Sequence, residues 1–137
     1  MTTTTQIDAA QIAAGAPTDS AAWTRACALD FLIPNRGVAV LLPGGRQAAL
    51  FRLPGDRLFA VGNIDPFGRA AVMSRGLVGD SKGQPIVASP LLKQRFSLVD
   101  GRCLDDATMS LPVYDVRVVD GMVEVASMAR TRESSTV

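Results

Sequence analysis

The chain has 137 residues with 14 Lys plus Arg, 13 Asp plus Glu, two cysteines and no histidine. With charges so evenly balanced and only 5% aromatic residues, it has neither the cationic excess that neutralises phosphates nor stacking platforms for bases, and nucleic acid is not an expected partner. Iron–sulfur centres held by four thiolates, or by two thiolates and two imidazoles, are excluded because this chain cannot supply the donors.

Residues 1–22 are rich in Thr, Ala and Gln, with Ile7 and Ile12 the only large apolar side chains after Met1. Too little surface can be buried there to offset ordering entropy, so a disordered N-terminal extension is expected. No apolar run nears the roughly 18 residues of a membrane-spanning helix, and no signal-peptide pattern is present; a cytoplasmic protein without membrane contact is expected. Over residues 23–127 short runs of Val, Leu, Ile and Phe alternate with Gly, Pro, Asn and Asp, the punctuation of one β domain. Gly37 to Leu42 reads as a strand stopped by Pro43-Gly44-Gly45. Gln47 to Leu53 reads as its hairpin partner and Arg57 to Gly62 as the next strand, a meander with one buried face. Asp65 to Val87 has no sustained period and is expected to be a long irregular stretch. Short strands are expected at Ile86 to Ala88, Arg95 to Val99 and Arg102 to Leu104. The clearest hairpin joins Val113–Val119 to Met122–Ala126 through Asp120-Gly121. Residues 128–137 are polar and expected to form a flexible tail. Cys27 and Cys103 lack C-x-x-C spacing, which argues against zinc and thioredoxin-like chemistry; two reduced thiols are expected, with a disulfide left open.

The run Phe59-Ala60-Val61-Gly62-Asn63-Ile64-Asp65-Pro66-Phe67 resembles the first ligand loop of Rieske iron–sulfur domains, aromatic-Ala-Val-x-Asn-x-Cys-Pro-His. Asp65 takes the Cys place and Phe67 the His place. Ser89-Pro90-Leu91-Leu92, followed by Phe96, resembles the second loop, with Ser89 and Leu92 at the remaining ligand positions. Further runs are similar to the small subunit of the assimilatory NAD(P)H-dependent nitrite reductases, a Rieske-like branch that has dispensed with the cluster. With Asn63 through Phe67, they are Leu32-Ile33-Pro34-x-x-Gly37-Val38, Ser74-Arg75-Gly76-Leu77-Val78-Gly79-Asp80, Ala88 through Phe96, and Cys103-Leu104-Asp105-Asp106. The resemblance covers about Trp23 to Ser127. It implies an all-β, Rieske-like fold of antiparallel sheets with a degenerate cluster-binding tip. It also implies a small accessory subunit, without cofactor or catalytic residues of its own, for an enzyme that reduces nitrite to ammonia. FAD, an iron–sulfur cluster, sirohaem and the NAD(P)H site would belong to the large partner subunit. A cluster-free interaction module for another oxidoreductase, or a ferredoxin-like carrier, are the alternatives.

At the tip two readings stay open. Phe67, Leu91 and Leu92 either fill the vacated site as a small core cluster or form an exposed apolar docking surface. Arg69, Arg75, Lys82, Lys93 and Arg95 are either scattered solvated charges or a basic collar that steers docking. The partner-binding candidates are Phe67, Arg75, Leu91, Leu92, Lys93, Gln94 and Arg95, with Lys93-Gln94-Arg95 as the favoured segment. Asp105-Asp106 is expected in a solvated turn and not as an acid–base pair, because neighbours on a strand face opposite ways. The glycine-rich Gly76 to Gly83 lacks the ending and the following helix of a phosphate loop.

Overall fold

The structure, a computed structural model, describes residues 22–130, so the expectations for residues 1–21 and 131–137 lie outside it. In chain order the strands are β1 (Trp23–Ala28), β2 (Arg36–Leu41), β3 (Gln47–Leu53), β4 (Arg57–Gly62), β5 (Leu77–Ser81), β6 (Gln84–Ala88), β7 (Arg95–Ser97), β8 (Val113–Tyr114), β9 (Val116–Val119) and β10 (Met122–Ala126). They pair antiparallel in three sheets, β1-β10-β9, β2-β3-β4-β8 and β5-β6-β7.

The second sheet is the centre of the molecule, and its β3 explains why. Ala49, Phe51 and Leu53 point to one side, where they pack with Val61, Met73, Val87, Phe96 and Leu98. Ala48 and Leu50 point to the other, against Ala60, Tyr114, Val123 and Val125. Four successive residues, Ala48 to Phe51, are therefore fully buried. β3, the middle strand of the meander, is thus buried on two faces where the sequence suggested one; an apolar run without alternation is the mark of a strand covered on both sides. Cys27 packs in the cluster containing β10 and Cys103 in the opposite one, and both are free thiols.

Four further expectations are corrected. The stretch from Asp65 to Val87 is not irregular throughout: it contains a 3-10 turn at Met73–Arg75 and the hairpin β5–β6. That hairpin turns on Lys82 and Gly83, both at positive φ (52° and 87°), with Asp80 Oδ2 accepting a bond from the Gly83 amide at 3.0 Å. Its first strand was hidden because β5 is an edge strand with exposed Leu77, Gly79 and Asp80, so it carries little apolar periodicity. The run Val113–Val119 is not one strand, because it breaks at Asp115 and passes from the central sheet to the β10 sheet. Arg102 to Leu104 makes only isolated bridges, Phe96 with Cys103 and Arg102 with Ser110. β7 stops at Ser97, whose Oγ accepts bonds from the Val99 and Asp100 amides and closes the turn. At that turn Gly101 has φ 78°, and a side chain there would run into the Leu111 carbonyl.

Arg130 lies inside the segment expected to be a flexible tail. It nevertheless bonds back to the domain: its amide donates to Val113 O at 2.7 Å and its guanidinium pairs with Asp115 at 2.8 Å.

Candidate functional site: twin loops at one tip

The two loops singled out in the sequence meet, and they are built alike. Loop 1 is Asp65-Pro66-Phe67-Gly68-Arg69-Ala70, loop 2 Ser89-Pro90-Leu91-Leu92-Lys93-Gln94. In loop 1 the Asp65 amide donates to Ala70 O (2.8 Å) and the Arg69 amide to Asp65 O (2.6 Å). In loop 2 the Ser89 amide donates to Gln94 O (2.9 Å) and the Lys93 amide to Ser89 O (3.1 Å). The fifth residue of each, Arg69 and Lys93, has a left-handed backbone with φ of 59° and 67°. The first side chain of each folds inward to accept from the backbone two residues on, Asp65 Oδ1 from Phe67 N (2.8 Å) and Ser89 Oγ from Leu91 N (3.2 Å). Asp65 Oδ1 also accepts from Gly68 N at 3.2 Å. These are Asx- and Ser-type turns, which the X-Pro start favours because proline presets the next φ. The shared X-Pro-apolar-x-basic pattern of Asp65–Arg69 and Ser89–Lys93 is the sequence signal of that likeness.

The loops are joined by a buried contact: Ser89 Oγ donates to Asp65 Oδ2, and both residues are 0% exposed. Leu91 also lies over Gly68, where a Cβ would come within 2.6 Å of Leu91 Cδ1. Loop 1 is anchored from below by Asn63, which is 1% exposed. Its Nδ2 donates to Gln47 Oε1 (2.9 Å) and its Oδ1 accepts from Ser74 N (2.7 Å), tying β3 and β4 to the Met73–Arg75 turn.

The apolar candidates divide between the two readings. Phe67 is half-buried against the core, its ring 6.2 Å from that of Phe96 and tilted by 50°. Leu91 and Leu92 are exposed at 45% and 56%, with Ile64 and Leu77 exposed nearby in sequence and pairing. Among the charged candidates, Arg95 is committed to Asp105. Its Nη2 donates to Oδ1 (2.7 Å), while its Nε (3.2 Å) and its own amide (2.8 Å) donate to Oδ2. The guanidinium holds the Asp105 carboxyl below the usual range, and the carboxylate raises Arg95 further. Lys82 sits at the far end of the β5–β6 hairpin, away from the end where Leu77 pairs with Ala88 and the chain enters loop 2. Arg69, Arg75 and Lys93 are exposed and belong to none of the four ion pairs among the described residues. Gln94 is half-buried, and its Oε1 is buried without a hydrogen-bond partner among the described residues.

Asp105 and Asp106 take separate roles, Asp105 with Arg95 and Asp106 accepting from the Thr108 amide (2.9 Å) and hydroxyl (2.6 Å), which lowers its pKa. They do not form an acid–base pair. Beside loop 1 opens a cleft of about 360 Å³ lined by Arg46, Gln47, Asn63, Ile64, Pro112 and Tyr114. Burial raises the Tyr114 hydroxyl's pKa against the pull of Arg46.

Comparison with known proteins places the domain. Residues 22–126 match the family model of the Rieske-like [2Fe-2S] domain. The nitrite reductase (NADH) small subunit of Salmonella typhimurium is 48% identical over 104 residues, covering 75% of this chain and 95% of that protein. A solved NADH-dependent nitrite reductase small subunit from Mycobacterium tuberculosis is 59% identical with a TM-score of 0.75, covering 79% of this chain and 96% of that one. The nitrite reductase [NAD(P)H] large subunit of Klebsiella oxytoca is 44% identical over 105 residues, which are 77% of this chain but only 11% of that protein. A Rieske cluster takes two thiolates and two imidazoles. The four corresponding positions present a carboxylate, a phenyl ring, a hydroxyl and an isobutyl group at Asp65, Phe67, Ser89 and Leu92. Two of these have no donor atom, and the other two are spent on each other. The residues present do not fit the cluster. The chain belongs to the Rieske-like [2Fe-2S] domain family, in its branch of nitrite reductase small subunits.

Proposed function

We propose that this chain serves as the small accessory subunit of an NAD(P)H-dependent nitrite reductase, binding the large subunit through its twin-loop tip. The observation that carries this is a near full-length likeness to small subunits in a domain whose ligand positions hold no metal-binding donor set. With ligand positions that do not fit a cluster, and with the one hydroxyl–carboxylate pair at the tip fully buried, the chemistry available to the exposed parts of these loops is recognition. The Klebsiella large subunit supports a partner in physical contact, since a segment similar to this chain is part of its own polypeptide. FAD, the iron–sulfur cluster, sirohaem and the NAD(P)H site would then reside on the large subunit.

On this reading Leu91 and Leu92 supply the apolar contact, and Arg75 and Lys93 the charge that orients an acidic partner surface. Phe67 and Gln94, both half-buried, can offer a partner only their exposed edges. Arg95 contributes through its bond to Asp105 more than as a free cation.

The test is nitrite-dependent NAD(P)H oxidation by the cognate large subunit with and without this chain, alongside coelution on a sizing column. Coelution with a gain in activity or in large-subunit half-life is the expected result; no association at micromolar concentrations overturns the proposal. Within the complex, Lys93→Glu should weaken binding while leaving the melting temperature unchanged, whereas Arg95→Glu should lower both because it sets a carboxylate against Asp105.

A further inference from the structure

We infer that the buried Asp65–Ser89 hydrogen bond is the positioning element of the docking tip, clamping the two loops together where a cluster would join them. The inference rests on the docking reading above and adds to it the device that gives the surface its shape. Asp65 and Ser89 are both fully buried, so neither can touch a partner. Their effect on binding must pass through the loops they hold.

The geometry is suited to that task, because each member of the pair has a second duty in its own loop. Asp65 gives Oδ2 to Ser89 and keeps Oδ1 for the Phe67 and Gly68 amides. Ser89 gives its proton to Asp65 and keeps an Oγ lone pair for the Leu91 amide. One contact therefore couples the internal turn of loop 1 to that of loop 2. The coupling has something to oppose: Arg69 and Lys93 occupy left-handed backbone that non-glycine residues adopt at a cost. Cut the link and each loop can relax separately, moving Leu91, Leu92, Arg69 and Lys93 relative to one another.

A partner that binds only the clamped arrangement loses affinity in proportion to the fraction of chains that hold it. If the link keeps most chains clamped and its loss leaves about one in ten, the apparent Kd rises about tenfold.

The experiment titrates the cognate large subunit calorimetrically with the full chain and three variants, and follows amide hydrogen exchange of each free chain. Ser89→Ala should speed exchange at Phe67, Gly68 and Leu91 and weaken binding about tenfold. Asp65→Asn keeps an acceptor for Phe67 and Gly68 and offers an amide donor to Ser89 Oγ, so it should stay within about threefold of the parent. Leu92→Asp, at an exposed side chain, should weaken binding without altering exchange at Phe67, Gly68 and Leu91.

Faster exchange in Ser89→Ala with unchanged affinity overturns the inference, as does exchange that stays slow. Asp65→Asn as weak as Ser89→Ala also overturns it, since buried charge and not the link would then be the cause. Unchanged affinity in Leu92→Asp refutes the docking surface itself, which separates failure of that reading from failure of the clamp. Should Ser89→Ala not fold, Ser89→Cys, whose thiol is a weak donor, is judged by the same outcomes.

Discussion

Replacing Asn63 by alanine should be among the most damaging polar substitutions in the domain, because its amide holds the base of loop 1 from two sides. Asn63 is 1% exposed. Truncation removes the bond to Gln47 Oε1, worth about 1 kcal/mol net, and strips the Ser74 amide of its acceptor, which costs about 1–3 kcal/mol when the orphaned group stays out of water. The expected total is about 2–4 kcal/mol, or a fall in Tm on the order of 10 °C for a domain of this size. Gln47→Ala is the informative comparison. It breaks only the first bond, leaves Ser74 N on Asn63 Oδ1, and opens Asn63 Nδ2 to the water of the adjoining cleft, so about 1 kcal/mol is expected. Urea unfolding followed by the fluorescence of Trp23, the single tryptophan, measures both. The Arg117 guanidinium lies 4.2 Å from the Trp23 ring, so unfolding should change its emission. A cost below about 0.5 kcal/mol for Asn63→Ala, or equal costs for the two variants, would refute the assignment of the Ser74 amide as the expensive orphan.

Phe96→Ala should cost about 3–5 kcal/mol, since a fully buried ring is removed from the centre of a core cluster and Phe67 loses its aromatic neighbour; denaturant midpoints check this. The folded pKa of Asp105 lies below its unfolded value, so its pairing with Arg95 contributes stability above the unfolded pKa that is lost as pH falls through the folded one. Asp105→Asn should therefore be less stable than the parent at pH 7, and the two should converge as pH drops below about 4 in a series of thermal melts. Burial raises the Cys27 thiol above its ordinary value, so the part of folded stability tied to this thiol is full below that value and is lost as pH rises through the raised one. At pH 7.5 the native chain should react slowly with a maleimide at Cys27 and resist at Cys103, with both labelled promptly in denaturant; fast native labelling of Cys103 would contradict its burial.

Much of the strand arrangement was legible because local chemistry and tertiary structure agree. Gln47–Leu53 and Arg57–Gly62 occupy their expected bounds, and Asp120-Gly121 turns the last hairpin with φ of 51° and 79°. β5 was hidden for the opposite reason: an edge strand with one paired neighbour and little burial carries no apolar period. The break at Asp115 was likewise invisible, since Val113-Tyr114 and Val116–Val119 satisfy the same β pattern whichever sheet they join. At the tip, the resemblance located the four degenerate positions. It could not say that Asp65 and Ser89 would bond to each other, that Phe67 would sink while Leu91 and Leu92 stayed out, or that Arg95 would be taken by Asp105.

By itself, the sequence determined what this chain cannot hold: without histidine, and with no Cys or His at any of the four ligand positions, the donor set of a Rieske cluster is incomplete however the chain folds. It also determined the family and most of the strands, because residue identity and local spacing are properties of the chain alone. Only the tertiary structure decided what takes the cluster's place. Asp65 and Ser89 are 24 residues apart, and whether a carboxylate and a hydroxyl at that separation pair or face water depends on how the β6 and β4 ends are brought together, which is a matter of packing and not of pattern.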